Sequence, residues 1–253
     1  MLSNLWLIPV WPLLGFLANG FFGRRIGKGA VGKIACGSVG LSLLASVKAV
    51  SELLVLPAES RRVTQVVAPW IGAGNFQADW GLLLDPLSAV MALVVSGVGF
   101  LIHVYSIGYM HEDSDYPRFF TYMNLFTFSM LMLVLANNYL LLYVFWEAVG
   151  LCSYLLIGFW FEKKSAADAG KKAFIVNRVG DFGFALGVML LWTTLGTLQY
   201  DQAFAVAPAK FQAGGAVVTA ITLLLFLGAT GKSAQIPLYV WLPDAMEGPT
   251  PVS

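Results

Sequence analysis

Long apolar runs separated by short polar segments make up most of the chain. A helix needs about 20 apolar residues to cross the hydrocarbon core of a bilayer, and seven runs approach or exceed that length. The pattern predicts an all-α fold, a polytopic transmembrane helical bundle of about seven spans. The predicted spans are residues 5–22, 31–54, 85–109, 119–136, 139–161, 173–195 and 215–242.

The seventh run is discontinuous by sequence. Gly215–Ala229 is apolar, Thr230–Ser233 interrupts it, and Pro237 removes a backbone donor before a second short apolar piece, Leu238–Leu242. A helix broken at membrane depth is tolerated only where its freed backbone groups meet protein or water. Broken helices of this kind mark ion or substrate sites in transporters, so a discontinuous seventh helix with a functional break is predicted.

The connecting segments differ in character. Asp85 followed by Pro86 is a helix-start signal, with Asp as the N-cap and Pro in the first turn. The other connections are predicted as a polar loop over 56–81 with a turn at 72–74, a short turn at 137–138, a charged loop over 162–172 and a mixed, partly helical loop over 197–214.

Composition places the chain in a membrane. Of its 253 residues, 58% are hydrophobic and 11% are charged, and the mean hydropathy is +0.75, whereas soluble domains carry about 25% charged residues. The net charge of +1 provides no basic field for a nucleic acid. Cys36 and Cys152 both lie in apolar runs, so neither a disulfide framework nor a metal site is predicted.

The distribution of basic residues predicts the orientation, because inner loops are enriched in Lys and Arg. With the amino terminus outside, the inner loops carry nine basic residues and the outer loops carry three. We therefore expect the amino terminus to lie outside, and the alanine-rich composition favours a bacterial inner (cell) membrane over a mitochondrial inner membrane. The inner residues are Arg24, Arg25, Lys28, Lys33, Arg118, Lys163, Lys164, Lys171 and Lys172, and the outer ones are Arg61, Arg62 and Lys210.

Glu147 is the only charged residue in the fifth predicted span. A carboxylate at the centre of a membrane helix costs about 3 kcal/mol on insertion scales, and such residues are functional by default. Glu147 shares a small, polar helical face with Tyr143, Gly150 and Tyr154. The alternative interpretation is a structural carboxylate, neutral and hydrogen-bonded between helices.

Three further ionisable residues are candidates for the same chemistry. Lys232 lies at the break in the seventh span, and a lysine between an apolar environment and a carboxylate can hold or release a proton. Its alternative role is to snorkel to the membrane surface. Arg178 and Asp181 are three residues apart on one face of the sixth span. They can form a self-neutralising structural pair, but the deeper Asp181 is the better functional candidate.

Other polar residues in the spans have structural interpretations. Lys48 and Glu52, four residues apart, suit an interfacial pair, and His103 suits an interfacial or a hydrogen-bonded core position rather than a proton relay. With neither a cysteine cluster nor a nucleophile–histidine–acid set, the chain is predicted to handle protons or a small cation rather than to break covalent bonds.

These residues lie in segments that resemble a known family, the antiporter-like subunits of proton-translocating NADH:quinone oxidoreductase, respiratory complex I. The resemblance is to the amino-terminal part of the subunit L, or chain 5, group. Large subunits of multi-subunit cation/proton antiporters share the Glu147 and Lys232 motifs. The segments that carry the resemblance are 85–88, 100–106, 118–120, 146–159, 172–181 and 231–253.

The resemblance implies a role for each candidate residue. Glu147 and Lys232 would be the pair whose charge coupling drives proton movement, Asp181 an acidic residue that assists it, and Arg178 a partner in the same site. It also implies that this chain holds no redox cofactor, and that NADH, FMN, iron–sulfur clusters and quinone bind to other subunits. The expected partners are other membrane subunits, notably a neighbouring antiporter-like subunit, together with lipids and protons.

The resemblance also predicts the organisation of the chain. Residues 1–115 would form amino-terminal helices and an outer loop, and residues 116–253 the first half of an antiporter-like repeat, cut off before helix eight. The chain is therefore expected to be an amino-terminal fragment of a translocase subunit. Two other functions stay open, a Na⁺/proton antiporter subunit and a membrane scaffold that only holds neighbouring subunits together.

Overall fold

The computed structural model of the chain describes residues 1–74 and 76–253. That part of the chain contains eight α-helices, one two-stranded sheet and three short 3-10 helices. The α-helices are α1 (Leu7–Ile26), α2 (Lys28–Val55), α3 (Pro86–Tyr109), α4 (Tyr116–Val134), α5 (Tyr139–Ile157), α6 (Lys164–Leu195), α7 (Tyr200–Lys210) and α8 (Ala216–Lys232). The strands are β1 (Val63–Ala73) and β2 (Phe76–Leu84), and the 3-10 helices are Leu2–Asn4, Ala58–Ser60 and Asp244–Glu247.

The helices confirm a polytopic membrane bundle. Within the described residues, five segments are helical, long and apolar enough to cross a membrane, and they contain α1, α2, α3, α5 and α6. The other two predicted spans correspond to α4, which has 19 residues and several polar side chains, and to α8, which is apolar and has 17 residues. At 1.5 Å per residue, α8 is about 26 Å long.

The predicted polar loop over 56–81 is wrong in one respect, because most of it pairs as β1 and β2. β1 is rich in β-branched and aromatic residues such as Val66, Val67 and Trp70, which favour strands. The predicted turn over 72–74 is shifted, since Gly72 lies within β1 and Gly74, with φ +59°, begins the turn. The position that follows Gly74 lies outside the described residues.

The predicted charged loop over 162–172 is also wrong for most of its length, because α6 already begins at Lys164. The alanines of this segment favour a helix that is buried on one side. Ala166 and Ala169 are buried, while Lys171 is exposed and pairs with Asp168 at 3.6 Å, one turn away. The charges are therefore one face of a helix that extends beyond the apolar run.

The seventh predicted span is broken as expected, with one difference. α8 ends at Lys232, where Ser233 is the C-cap. The second apolar piece, residues 238–242, forms turns rather than helix and leads into the 3-10 helix Asp244–Glu247. Pro237 and Pro243 bracket the piece, and five residues between two prolines are too few for a stable helix.

One compact unit comprises residues 1–65, 82–135 and 249–253. Its helices are joined by short polar contacts, including a hydrogen bond from the Ser42 hydroxyl to the Ile8 carbonyl at 2.6 Å. Asp85 caps α3, as predicted, by accepting from the Ser88 amide at 2.8 Å. His103 is fully buried in this unit, and its Nδ1 donates to the Gly99 carbonyl at 2.7 Å.

Glu52, in the same unit, is tied to the start of the chain. Its carboxylate accepts from the Met1 amino group at 2.6 Å and from the Leu2 amide at 3.0 Å. The sequence predicted a pair with Lys48, whereas in the structure the amino-terminal donors hold the carboxylate in a structural position.

The second compact unit comprises residues 66–81 and 136–248. Asn138 caps α5 by accepting from the Leu141 amide at 2.8 Å, and its side-chain amide donates to the Asp79 carbonyl at 3.0 Å. The core of this unit includes Phe184, Val188 and Ile221, which joins α6 to α8. The predicted boundary after residue 115 marks where the antiporter-like repeat would begin, and it does not refer to the two compact units. It stays a prediction.

Candidate functional site

The four ionisable candidates lie together in the second compact unit, on three helices. α5 carries Glu147, α6 carries Arg178 and Asp181, and α8 ends at Lys232. Each acidic residue pairs with a basic residue from a different helix. The site is therefore created by tertiary packing and not by any single segment.

Glu147 pairs with Arg178. The Oε2 atom of the carboxylate contacts Nη1 of the guanidinium, and the Glu147 side chain is 20% exposed against 44% for Arg178. The guanidinium also lies over the ring of Phe174, 4.6 Å from its centroid, where a cation–π interaction holds its plane. The charge of Glu147 is thus offset at the outer edge of the site.

Asp181 pairs with Lys232 at the deeper side of the site. The distance from Oδ2 to Nζ is 3.6 Å, and the two side chains are 3% and 17% exposed. The other carboxylate oxygen, Oδ1, accepts a hydrogen bond of 2.7 Å from Nε1 of Trp146. Because the Trp146 ring stacks on Phe184 at 5.0 Å, it holds the donor in place against Asp181.

Gly150 provides the space for the Lys232 ammonium. A Cβ atom at Gly150 would lie only 2.5 Å from Nζ of Lys232, so any larger residue would displace the charge. Gly150 is three residues after Glu147 on α5, and one helical turn rises about 5.4 Å. Lys232 therefore lies within about one turn of Glu147, although their charges are paired elsewhere.

Close packing of α6 and α8 fixes the position of the break. A Cβ atom at Gly180 would lie 3.0 Å from the Leu227 carbonyl oxygen and 3.3 Å from the Gly231 Cα. The Gly231 carbonyl accepts from Nε1 of Trp241 at 3.0 Å. The same carbonyl also accepts from the Ala234 amide at 3.3 Å, so this carbonyl, one of the last four of the helix, is satisfied just before Lys232.

Three buried polar atoms in the site have unused hydrogen-bonding capacity. Oε1 of Glu147, Oδ1 of Asn177 and Nζ of Lys232 make no hydrogen bond to any residue that the structure describes. Buried polar groups are normally satisfied by protein or by ordered water. Water molecules bound beside the two ion pairs would satisfy these three atoms.

The geometry decides between several interpretations of the sequence. Lys232 points into the protein toward Asp181 and Gly150, which argues against snorkelling. The self-neutralising pair of Arg178 with Asp181 does not form, because each residue pairs outside α6. Glu147 and Lys232, whose charge coupling the resemblance implies, each pair with another residue in this structure. The roles of the four residues stay predictions.

Sequence reasoning missed Trp146 and Trp241 as parts of the site. Trp146 directly precedes Glu147, and Trp241 follows the break by nine residues. A tryptophan donor must find a partner when it is buried, so an indole next to an intramembrane carboxylate is a usable signal. Among the described residues, no group of three or more His, Cys, Asp or Glu side chains could hold a metal ion.

Comparison with known families matches two parts of the chain. Residues 136–253 match the family described as NADH:quinone oxidoreductase/Mrp antiporter, TM. Residues 70–120 match the family described as NADH-Ubiquinone oxidoreductase (complex I), chain 5 N-terminus. The first match contains all four ionisable residues of the site.

Curated relatives are similar along almost the whole chain. NADH-quinone oxidoreductase subunit L of Mycobacterium tuberculosis (strain CDC 1551 / Oshkosh) is 53% identical over 253 residues. NADH-ubiquinone oxidoreductase chain 5 of Marchantia polymorpha is 47% identical over 256 residues. Each alignment covers 98% of this chain, which spans 38% of the length of either relative.

A solved structure shares the fold. A chain in the Mrp complex from Dietzia sp. DQ12-45-1b superposes with a TM-score of 0.80 at 27% sequence identity. The superposition covers 99% of this chain and 26% of that one. The overall fold of this chain is therefore one that a chain of that Mrp complex also adopts.

Proposed function

We propose that the chain, which matches the NADH:quinone oxidoreductase/Mrp antiporter family over residues 136–253, is a proton-translocating membrane subunit of NADH:quinone oxidoreductase. The observation that carries this proposal is the presence of two neighbouring ion pairs, Glu147–Arg178 between α5 and α6 and Asp181–Lys232 at the end of α8. Intramembrane charges are costly and mark ion pathways. The similar subunit L and chain 5 sequences indicate which complex would supply the energy.

The proposed mechanism is a charge switch in which Glu147 changes partner. While Glu147 pairs with Arg178, the Lys232 ammonium is held by Asp181 alone. If Glu147 turns toward Gly150, its charge approaches Lys232. Two unit charges ~6 Å apart interact by about 3 kcal/mol at an effective dielectric of 20, which is equivalent to a roughly hundredfold change in proton binding. The movement of one carboxylate would then load or release the proton on Lys232.

The energy for this switch would come from outside the chain. We infer that NADH, FMN, iron–sulfur clusters and quinone bind to other subunits, and that this subunit is a translocase component without a redox centre of its own. Its partners would be other membrane subunits, including a neighbouring antiporter-like subunit. The membrane would be a bacterial inner (cell) membrane, with the amino terminus outside.

The Glu147→Gln variant of the full-length subunit tests the carboxylate. The amide keeps the shape and removes the charge, so protons pumped per NADH oxidised should fall at least tenfold in inverted membrane vesicles. Glu59→Gln, at an exposed residue outside the site, is the matched control and should pump normally. Normal pumping by Glu147→Gln would refute the switch.

The Lys232→Arg variant tests proton release separately from charge. Arginine keeps the positive charge but does not deprotonate in proteins, so pumping should be lost even if the complex assembles. Lys164→Arg, at the exposed start of α6, is the control. If both Glu147→Gln and Lys232→Arg assemble and pump normally, the subunit is a scaffold.

The similarity to the Mrp complex favours a second candidate, a Na⁺/proton antiporter subunit. The carboxylates of Glu147 and Asp181 would also be ligands for a sodium ion. Sodium titration distinguishes the two functions, because an antiporter requires Na⁺ for proton movement. NADH-driven pumping that is unchanged in sodium-free buffer supports the first proposal.

A further inference from the structure

We propose that the first compact unit holds an anionic phospholipid headgroup, of the phosphatidylglycerol type, in a basic pocket between α1, α2 and the start of α4. The pocket has a volume of about 690 Å³, whereas a water molecule occupies roughly 30 Å³. It is therefore large enough for a glycerophosphate group. It lies apart from the ion pairs of the candidate functional site and does not depend on the proposed function.

Three cationic side chains line this pocket, with one carboxylate among them. Arg24 and Lys28 flank the α1–α2 turn, and Arg118 on α4 pairs with Asp115 at 3.0 Å. Lys28 donates to the His111 carbonyl at 2.7 Å, which engages one of its three N–H donors. The net charge of these four lining residues is positive, as a phosphodiester requires.

The amino terminus of α2 adds backbone donors to the pocket. The N-cap residue is Gly27, and no described side chain caps this end of the helix. Gly27 and Lys28 both line the pocket. The first amide groups of a helix have no intrahelical partner, and together with the helix dipole they form a natural site for a phosphate.

Asn19 provides an independent indication of a ligand. It lines the pocket, it is 2% exposed, and its Oδ1 makes no hydrogen bond to any described residue. Its Nδ2 donates to the Val31 carbonyl at 3.4 Å, which assigns the unused atom as the acceptor. An unused acceptor beside cationic groups suits a ligand that combines a phosphate with a hydroxyl donor, as a glycerol headgroup does.

The surface next to the pocket favours a lipid over free phosphate. Phe21 and Phe22 follow the lining residue Gly20 on α1, and both are highly exposed. In a membrane-spanning helix, such side chains face acyl chains. A headgroup in the pocket could therefore keep its own acyl chains in the bilayer, which an inorganic anion cannot do.

Native mass spectrometry of the full-length protein, titrated with phosphatidylglycerol, tests the site. Each basic residue near an anionic lipid strengthens the binding of that lipid about fivefold. The double variant Arg24→Gln/Lys28→Gln should therefore weaken the tightest phosphatidylglycerol binding roughly 25-fold. Arg25→Gln removes one charge from an exposed neighbour that does not line the pocket, and it should change binding less than about twofold, against about fivefold for Arg24→Gln alone. Equal losses in these two single variants would indicate general surface attraction and overturn the proposal, as would no loss in the double variant.

Two further arms of the experiment identify the ligand. Inorganic phosphate at millimolar concentration should not displace the lipid, and displacement would assign the pocket to free phosphate instead. Asn19→Val should reduce the preference for phosphatidylglycerol over phosphatidic acid about fivefold, and an unchanged preference would refute the hydroxyl contact. A lower melting temperature of Arg24→Gln/Lys28→Gln in phosphatidylcholine would mean that the double variant is destabilised. The single variant Arg24→Gln, at an exposed residue, then tests the proposal, and it should weaken phosphatidylglycerol binding about fivefold.

Discussion

Gly150 and Trp146 place the charges of the candidate site without carrying charge themselves. Gly150 leaves space for the Lys232 ammonium, and Trp146 donates to Asp181. Both lie on α5 beside Glu147. A single helix thus contributes a carboxylate, a space for a cation and a hydrogen-bond donor, so small changes on this helix should alter proton transfer strongly.

Gly150→Ala should reduce protons pumped per NADH at least tenfold, because its Cβ would occupy the position of Lys232 Nζ. The measurement is dye quenching in inverted vesicles, with assembly checked on native gels. Gly37→Ala is the matched control, since a Cβ there would meet nothing within 4 Å. An assembled Gly150→Ala complex that pumps normally would show that Lys232 works in another position.

Trp146→Phe should keep the stack on Phe184 while removing the donor to Asp181. A hydrogen bond to a charged group contributes about 1.5–3 kcal/mol, so the rate of proton transfer should fall at least tenfold and its pH profile should shift. Trp6→Phe, at an exposed position on the first compact unit, controls for the loss of an indole. An unchanged pH profile in Trp146→Phe would mean that the hydrogen bond is only structural.

At the scale of elements, the contact between α6 and α8 positions the break. Gly180 approaches the α8 backbone at Leu227 and Gly231, and a backbone cannot move aside as a flexible side chain can. The ion pair between Asp181 and Lys232 depends on this approach, because the two residues lie immediately after Gly180 and Gly231, respectively.

Gly180→Ala should therefore destabilise the protein and separate Asp181 from Lys232. Overpacking costs about 1–3 kcal/mol, which corresponds to a fall of roughly 5 °C in the melting temperature of a chain of this size. Tryptophan fluorescence in detergent measures the melting temperature. Gly99→Ala on α3, where a Cβ meets nothing within 4 Å, should melt like the parent, and equal melting of both variants would contradict the packing argument.

At the scale of the whole molecule, the basic residues predict that the amino terminus lies outside the membrane. Single cysteines at the exposed Ser60 and Ser114, in a background without Cys36 and Cys152, test this orientation. A membrane-impermeant maleimide added to intact cells should label Ser60→Cys and spare Ser114→Cys. The opposite labelling would invert the predicted topology.

The sequence alone determined the helical membrane fold, since 20-residue apolar runs have few other stable states in a bilayer. It also determined the cap at Asp85, the break at Lys232 and the four ionisable candidates, because each depends on residues that are neighbours along the chain. Local pattern failed at β1 and at the start of α6. There, strand pairing and the burial of Ala166 and Ala169 decided the structure.

Only the tertiary structure decided which charges meet. Four charges on three helices can pair in two complementary ways, and neither spacing nor hydropathy distinguishes them. The choice depends on the close approach of α8 to α6 at Gly180, on the space that Gly150 leaves for Lys232, and on the indole of Trp146 beside Asp181. These contacts join residues that lie 35 or more positions apart, and a pairing between such distant residues is fixed by packing rather than by local sequence.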